Sequence, residues 1–234
     1  MLRPFFSLAL ALTASLTYAV GTKSHVVALG AIRKVPYSVT GDPAGALKDE
    51  TELHVRPLVV DGKVKEWTTG DVHDITDRSF VVRRAIRLND ALPTDAGGHA
   101  GAARWVWQRG PWLLIDRVSG KVTALRLPDY DPVVSDVVWF RDYAAYCGLS
   151  SSGRQLYAVV AQIEARRPLL SKKLREWNLI DHPSPACSPA VWQREPLRIA
   201  FQPAGGPPIS FDLVGLSAVL IDDGDAGGAS ESAN

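Results

Sequence analysis

Three strand-length runs in the middle of the chain constrain its fold more than any other feature. Residues 137–140 and 156–163 carry apolar side chains at odd and even positions alike, and residues 143–149 form a further strand between them. Side chains on a strand alternate between the two faces of a sheet. A run that is apolar at both parities is therefore covered on both sides, as a central strand is. The links between the runs are Arg141-Asp142 and a Ser/Gly stretch ending at Arg154. Links this short join antiparallel neighbours, not parallel crossovers.

The rest of the chain is punctuated in the same way. Residues 53–60 read as a strand carrying Pro57, which points to an edge or a bulge. Asp61-Gly62 is a tight-turn pair, and 63–68 is the returning strand. Further strands are expected at 79–88, 112–115, 122–127, 192–202, 209–214 and 218–221, and Trp105 and Trp107 share a strand face. Residues 89–103, rich in Asp, Gly, Ala and Pro, read as a surface loop. One helix is expected, at 171–179, where Leu170, Leu174 and Trp177 fall near helical spacing behind Ser171. The fold class that follows is all-β: an antiparallel meander or sandwich, or partial propeller-like sheets, in a single domain over 20–221 with at most one short helix.

The two ends read differently. In residues 1–19, Arg3 precedes an uncharged apolar stretch, and Thr17-Tyr18-Ala19 presents small residues around a cleavage point after Ala19. That is the pattern of a secretory signal peptide, so a periplasmic or extracellular protein is expected. The stretch is shorter than the ~20 residues that span a bilayer, and nothing later is long and apolar enough either. Residues 222–234 are acidic and rich in Gly, Ala and Ser, the composition of a disordered tail. Removing the first 19 of 234 residues leaves 215, with 25 basic side chains against 25 acidic ones. A chain without basic excess lacks the charge a nucleic-acid binder needs to displace counterions. An apolar content of 46% excludes a disordered chain, and two cysteines exclude a disulfide-dense miniprotein. Cys147 and Cys187 are either one disulfide of an oxidising compartment or, for Cys147, a small buried core residue; spacing leaves both open.

Two resemblances attach to these residues. Ile115-Asp116 followed by Ser119-Gly120-Lys121-Val122, then residues 135–139, 143–148 and 153–157, resemble successive strands of a β-propeller blade in periplasmic propeller proteins. Trp107, Gln108, Arg109 and Pro111 recur as Trp192, Gln193, Arg194 and Pro196, about two blade lengths on. Residues 61–67, 80–84 and 141–148 are similar to an exported bacterial family to which no activity is assigned. Neither resemblance implies a reaction.

Candidate chemistry is sparse. Asp71 and His73 are the nearest approach to a metal pair, with Asp74 and Asp77 close by, but their spacing matches no ligand signature. Around Ser150 and Ser151 the chain resembles a nucleophile elbow, but Ser152 stands where the second glycine belongs. Two basic groups stand out: Arg78, Arg83, Arg84 and Arg87, and Arg166, Arg167, Lys172, Lys173 and Arg175. Either suits an anionic glycan, a phosphate or an acidic protein face. Trp105, Trp107 and Trp112, with Trp139, form either a stacking platform or ordinary β core. The expected binding residues are thus Trp105, Trp107, Trp112, Arg83, Arg84 and Arg87. The functional expectation is an exported, non-catalytic β module of the cell envelope that binds a protein or polymer partner and carries no cofactor. The alternatives are an exported hydrolase, metal-assisted through Asp71 and His73, and a structural subunit of an envelope assembly.

Overall fold

The computed structural model describes residues 24–37, 52–89, 105–131, 134–177, 186–215 and 217–221. The residues expected to form a signal peptide (1–19) and a disordered tail (222–234) lie outside the described residues, as does the expected loop 89–103 apart from Asn89, which ends β5. Among the described residues there are fifteen strands in three antiparallel sheets, none closed into a barrel, and no helix. No helix there is long and apolar enough to cross a membrane.

The first sheet holds β1 (Val27–Leu29), β2 (Arg33–Pro36), β3 (Glu52–Val60), β4 (Lys63–Thr76), β5 (Ser79–Asn89), β6 (Trp105–Asp116) and β7 (Val122–Ala124), in the order β1-β3-β4-β5-β6-β7 with β2 also on β3. Asp61 and Gly62 turn β3 into β4 with φ of 50° and 75°, the pair of left-handed residues that a twisted two-residue hairpin demands. Pro57 is accommodated without losing a ladder bond. Its carbonyl accepts from Gly30 N, so its missing N–H points to that same side of β3. There it falls between the stretch paired with β2 (52–55) and the stretch paired with β1 (58–60).

The second sheet is the middle layer. It consists of β8 (Val138–Phe140), β9 (Tyr143–Leu149), β10 (Gln155–Gln162) and β11 (Leu170–Glu176), ordered β11-β10-β9-β8. Its side chains divide by parity. Ala144, Tyr146, Val159 and Ala161 pack with Val81 and Trp112 of the first sheet. Ala145, Cys147, Leu156, Ala158 and Val160 pack with Ile199, Phe201, Phe211 and Leu213. Those four belong to the third sheet, made of β12 (Cys187–Gln193), β13 (Arg198–Pro203), β14 (Ile209–Val214) and β15 (Ser217–Ile221) in sequence order. Apolar character at both parities is thus the mark of a layer covered on both faces. A disulfide joins Cys147 in the middle layer to Cys187 in the third sheet, with Cα atoms 6.3 Å apart.

Several expectations are corrected, among them the strand expected at 122–127, which ends at Ala124. The helix at 171–179 is absent: residues 170–176 are β11, laddered to β10, and 178–185 lie outside the described residues. The ladder slips by one residue opposite Leu174. That slip lets Leu170, Leu174 and Trp177 reach one core, so a bulged strand imitates helical spacing. Residues 192–202 are not one strand, because 194–197 turn between β12 and β13. The strand expected at 112–115 and the strand face shared by Trp105 and Trp107 belong to one strand, β6, which runs through Gly110-Pro111 with a register slip opposite Arg84. The recurrence of Trp107 to Pro111 at Trp192 to Pro196 is no structural repeat, since the first copy lies inside β6 and the second makes a turn.

Candidate functional site

The residues singled out in β5 and β6 do not form one surface. Trp105 is 47% exposed, with the Arg87 guanidinium 4.6 Å over its ring. Trp107 packs inward against Tyr37, Leu53 and Val55, edge-on to Trp67 at 5.5 Å. Trp112 is buried between the first two sheets, edge-on to Trp139 at 5.3 Å. Arg83 is buried in that same layer, where Nε donates to Gly110 O (3.1 Å) and Nη1 to Asp136 Oδ1 (3.2 Å). Arg84 pairs with Glu66 at 2.8 Å. Only Trp105 and Arg87 meet at the surface.

Asp71 and His73 lie on β4, not in a loop. His73 is already engaged: Nε2–H donates to Arg141 O at 2.7 Å, and the ring stacks on Trp139 at 6.0 Å. Among the described residues no three His, Cys, Asp or Glu side chains converge as metal ligands. Ser150 closes the β9–β10 hairpin, its Oγ accepting from Gln155 N at 3.1 Å and meeting Ser152 Oγ at the same distance. That is the work of a turn serine and uses up the hydroxyl.

The built concavity lies elsewhere. Where one end of the middle sheet meets the first sheet, an open cleft of about 1160 Å³ runs between them. On one side stand the β4–β5 turn and the run from Lys121 to Pro128. On the other stand the β8–β9 turn, Arg141-Asp142, and the loop after β10, residues 163–167. The floor is aliphatic: Ile75, Leu114, Leu125, Leu127, Ala161 and Ile163. The two facing loops are tied together. Asp142 O accepts from Ile163 N (2.9 Å), and Asp142 Oδ2 accepts from Gln162 Nε2 (2.7 Å). Arg141 and Glu164 hold left-handed φ values of 52° and 68°. Such a conformation costs a non-glycine residue about 1–2 kcal/mol, so the surrounding contacts hold these turns against their own preference.

The cleft's charge is unbalanced. Arg78, Lys121, Arg126, Arg141, Arg166 and Arg167 line it, against Asp116, Asp142 and Glu164: six cations to three carboxylates. Arg78 is spoken for by Asp116, with Nε to Oδ2 at 2.9 Å. The Asp116 carboxylate accepts from Ser119 N and Val118 N, each at 2.8 Å. The Ser119 N–H first, then Val118 N–H and Arg78, hold its pKa down to about 2 against a partial opposing effect of desolvation. Beneath the cleft, burial pushes the Tyr146 phenol far above its ordinary value, and its hydroxyl donates to Pro128 O at 2.6 Å. Arg126, Arg166 and Arg167 are exposed and make no ion pair among the described residues.

The second basic group of the sequence is therefore split. Arg166 and Arg167 reach the cleft. Lys172 and Lys173 lie on β11, Lys173 pairing with Glu176, and Arg175 Nη1 donates to Ala204 O at 2.8 Å. Sequence reasoning missed Arg126 and Arg141, which sit apart from either group; only knowledge of which turns meet in space identifies them. No family model, curated protein or solved structure matches the chain.

Proposed function

We propose that this is a non-catalytic binding protein whose ligand is anionic and seats in the cleft between the first and middle sheets. One observation carries the reading: Arg126, Arg166 and Arg167 rim an aliphatic-floored cleft, and among the described residues no carboxylate is paired to them. Guanidinium groups left unpaired around a concavity favour carboxylate, sulfate or phosphate ligands. Among the described residues the cleft brings together no nucleophile, base and orienting acid. Its one His-linked element, the Arg141 turn, uses the imidazole as a strut. Two features support an exported, envelope location: the signal-like character of residues 1–19, and a disulfide, a bond that persists in oxidising compartments.

Titration with polyglutamate and with inorganic polyphosphate tests the reading. At least one polyanion binds the native chain. The Arg166→Glu/Arg167→Glu double variant binds it about tenfold more weakly, the loss of ~1.4 kcal/mol expected from reversing two rim charges. Absence of binding by both probes, or equal binding by the variant, refutes it.

A further inference from the structure

We infer that the occupant of the cleft is an extended acidic segment of a partner protein, which adds as a strand to the free edge of β7. The inference rests on the anion-binding reading above and names the ligand class.

The backbone directions along β7 carry the argument. Asp116 N donates to Lys121 O (3.0 Å), Leu114 pairs with Thr123, and Leu125 N donates to Trp112 O (2.8 Å). The backbone groups of 121, 123 and 125 are thus turned toward β6. Peptide groups alternate sides along a strand, so those of Val122 and Ala124 are turned the other way. β7 is the last strand of its sheet, and no described strand pairs with that side.

That free side opens into the cleft. Thr123, Ala124, Leu125, Arg126, Leu127 and Pro128, six residues in a row, all line it. Thr123 and Ala124 are consecutive on β7 and so have side chains on opposite faces of the sheet; a cleft that both of them border reaches the strand's edge, and the non-strand run 125–128 continues its wall. Native proteins blunt exposed edges with lysine, proline or a covering segment. Here Lys121 stands at the start of β7, and among the described residues no strand covers its outer side.

An extended peptide uses all of these features together. Its main chain satisfies the outward groups of Val122 and Ala124, which is how strand addition gains affinity and register. Its alternate side chains meet Leu125, Leu127 and Ile163. Arg126 on the β7 side, with Arg166 and Arg167 across the cleft, selects acidic side chains. A sugar or a phosphate head group matches the arginines but leaves the edge unused.

The test is a capped peptide alternating glutamate and valine, titrated by calorimetry or NMR against the full chain. Methylating the backbone nitrogens that face β7 weakens binding by about tenfold or more, since two hydrogen bonds are lost. Methylating the nitrogens on the opposite side leaves binding unchanged. Ala124→Pro removes only an outward N–H and reproduces the first loss; if that variant misfolds, the two methylated peptides still decide the matter on the native chain. A lysine–valine peptide binding as well as the acidic one overturns the inference. So does equal binding of both methylated forms. Polyanion binding that depends on Arg166 and Arg167 but ignores backbone methylation leaves the anion reading standing and removes strand addition. Absence of any anion binding removes both.

Discussion

Removing the Cys147–Cys187 disulfide is the most informative stability experiment on this molecule. The bond spans 40 positions and ties the middle sheet to the third. Closing a loop of that size in the unfolded chain removes conformational freedom worth about 4 kcal/mol in the chain-entropy picture. Both cysteines are buried in the shared core of those sheets, so replacing each by alanine removes one sulfur and buries no polar group. The double variant is therefore expected to unfold about 4 kcal/mol more easily in urea. Its melting point falls by about 8–16 °C, at ~2–4 °C per kcal/mol for a chain of this size. Reductant added to the native protein acts slowly, because the sulfurs are reached only through opening of the core. Reductant added in denaturant and carried through refolding reproduces the variant. The slope of stability against urea should also rise, because the uncrosslinked chain exposes more surface when unfolded. A loss under about 1 kcal/mol with an unchanged slope would falsify the claim that the cross-link acts mainly on the unfolded chain.

Three further outcomes follow from single contacts. Asp136→Ala strands the Arg83 guanidinium in the layer between the first two sheets and costs about 3 kcal/mol in urea unfolding. Adding Arg83→Met recovers most of that loss, and a cycle showing the two effects simply additive refutes the coupling. Gly148→Ala sets a Cβ 2.8 Å from Asp129 O, whose position is held by Leu149 N at 2.7 Å. A cost of about 1–3 kcal/mol is expected, and a neutral variant shows that the 128–131 segment yields freely. Asp116 has its folded pKa depressed from 3.8 to about 2. Its contribution to stability is therefore present above the unfolded pKa and is lost as pH falls through about 2. Asp116→Asn should flatten the melting-point profile between about pH 4 and pH 2, the window from the unfolded 3.8 to the folded value of about 2, and an unchanged profile refutes the assignment.

The architecture was legible where burial was symmetric. Parity alone separates Ala144 and Tyr146 from Ala145 and Cys147 and marks the middle layer, because a strand reports both of its faces directly in sequence. It failed where the ladder slips. The bulge opposite Leu174 gave a strand the spacing of a helix, and the slip opposite Arg84 carried β6 through Gly110-Pro111. Bulges are set by the partner strand, which a single segment does not contain. The candidate site shows the same limit more sharply. Arg83, Arg84 and Arg87 looked like a cluster because they are near in sequence, yet one is buried, one is paired and one lies over Trp105. Arg126 and Arg166, 40 positions apart, share a cleft because two turns of different sheets face each other. Charge that is compensated within a sheet is spent on holding that sheet together, and what remains for a ligand is the charge that loops carry past its ends. The cleft arginines that make no ion pair among the described residues are of that second kind, on 126 after β7 and on 166–167 after β10. Their availability to a ligand is a consequence of topology rather than of local sequence.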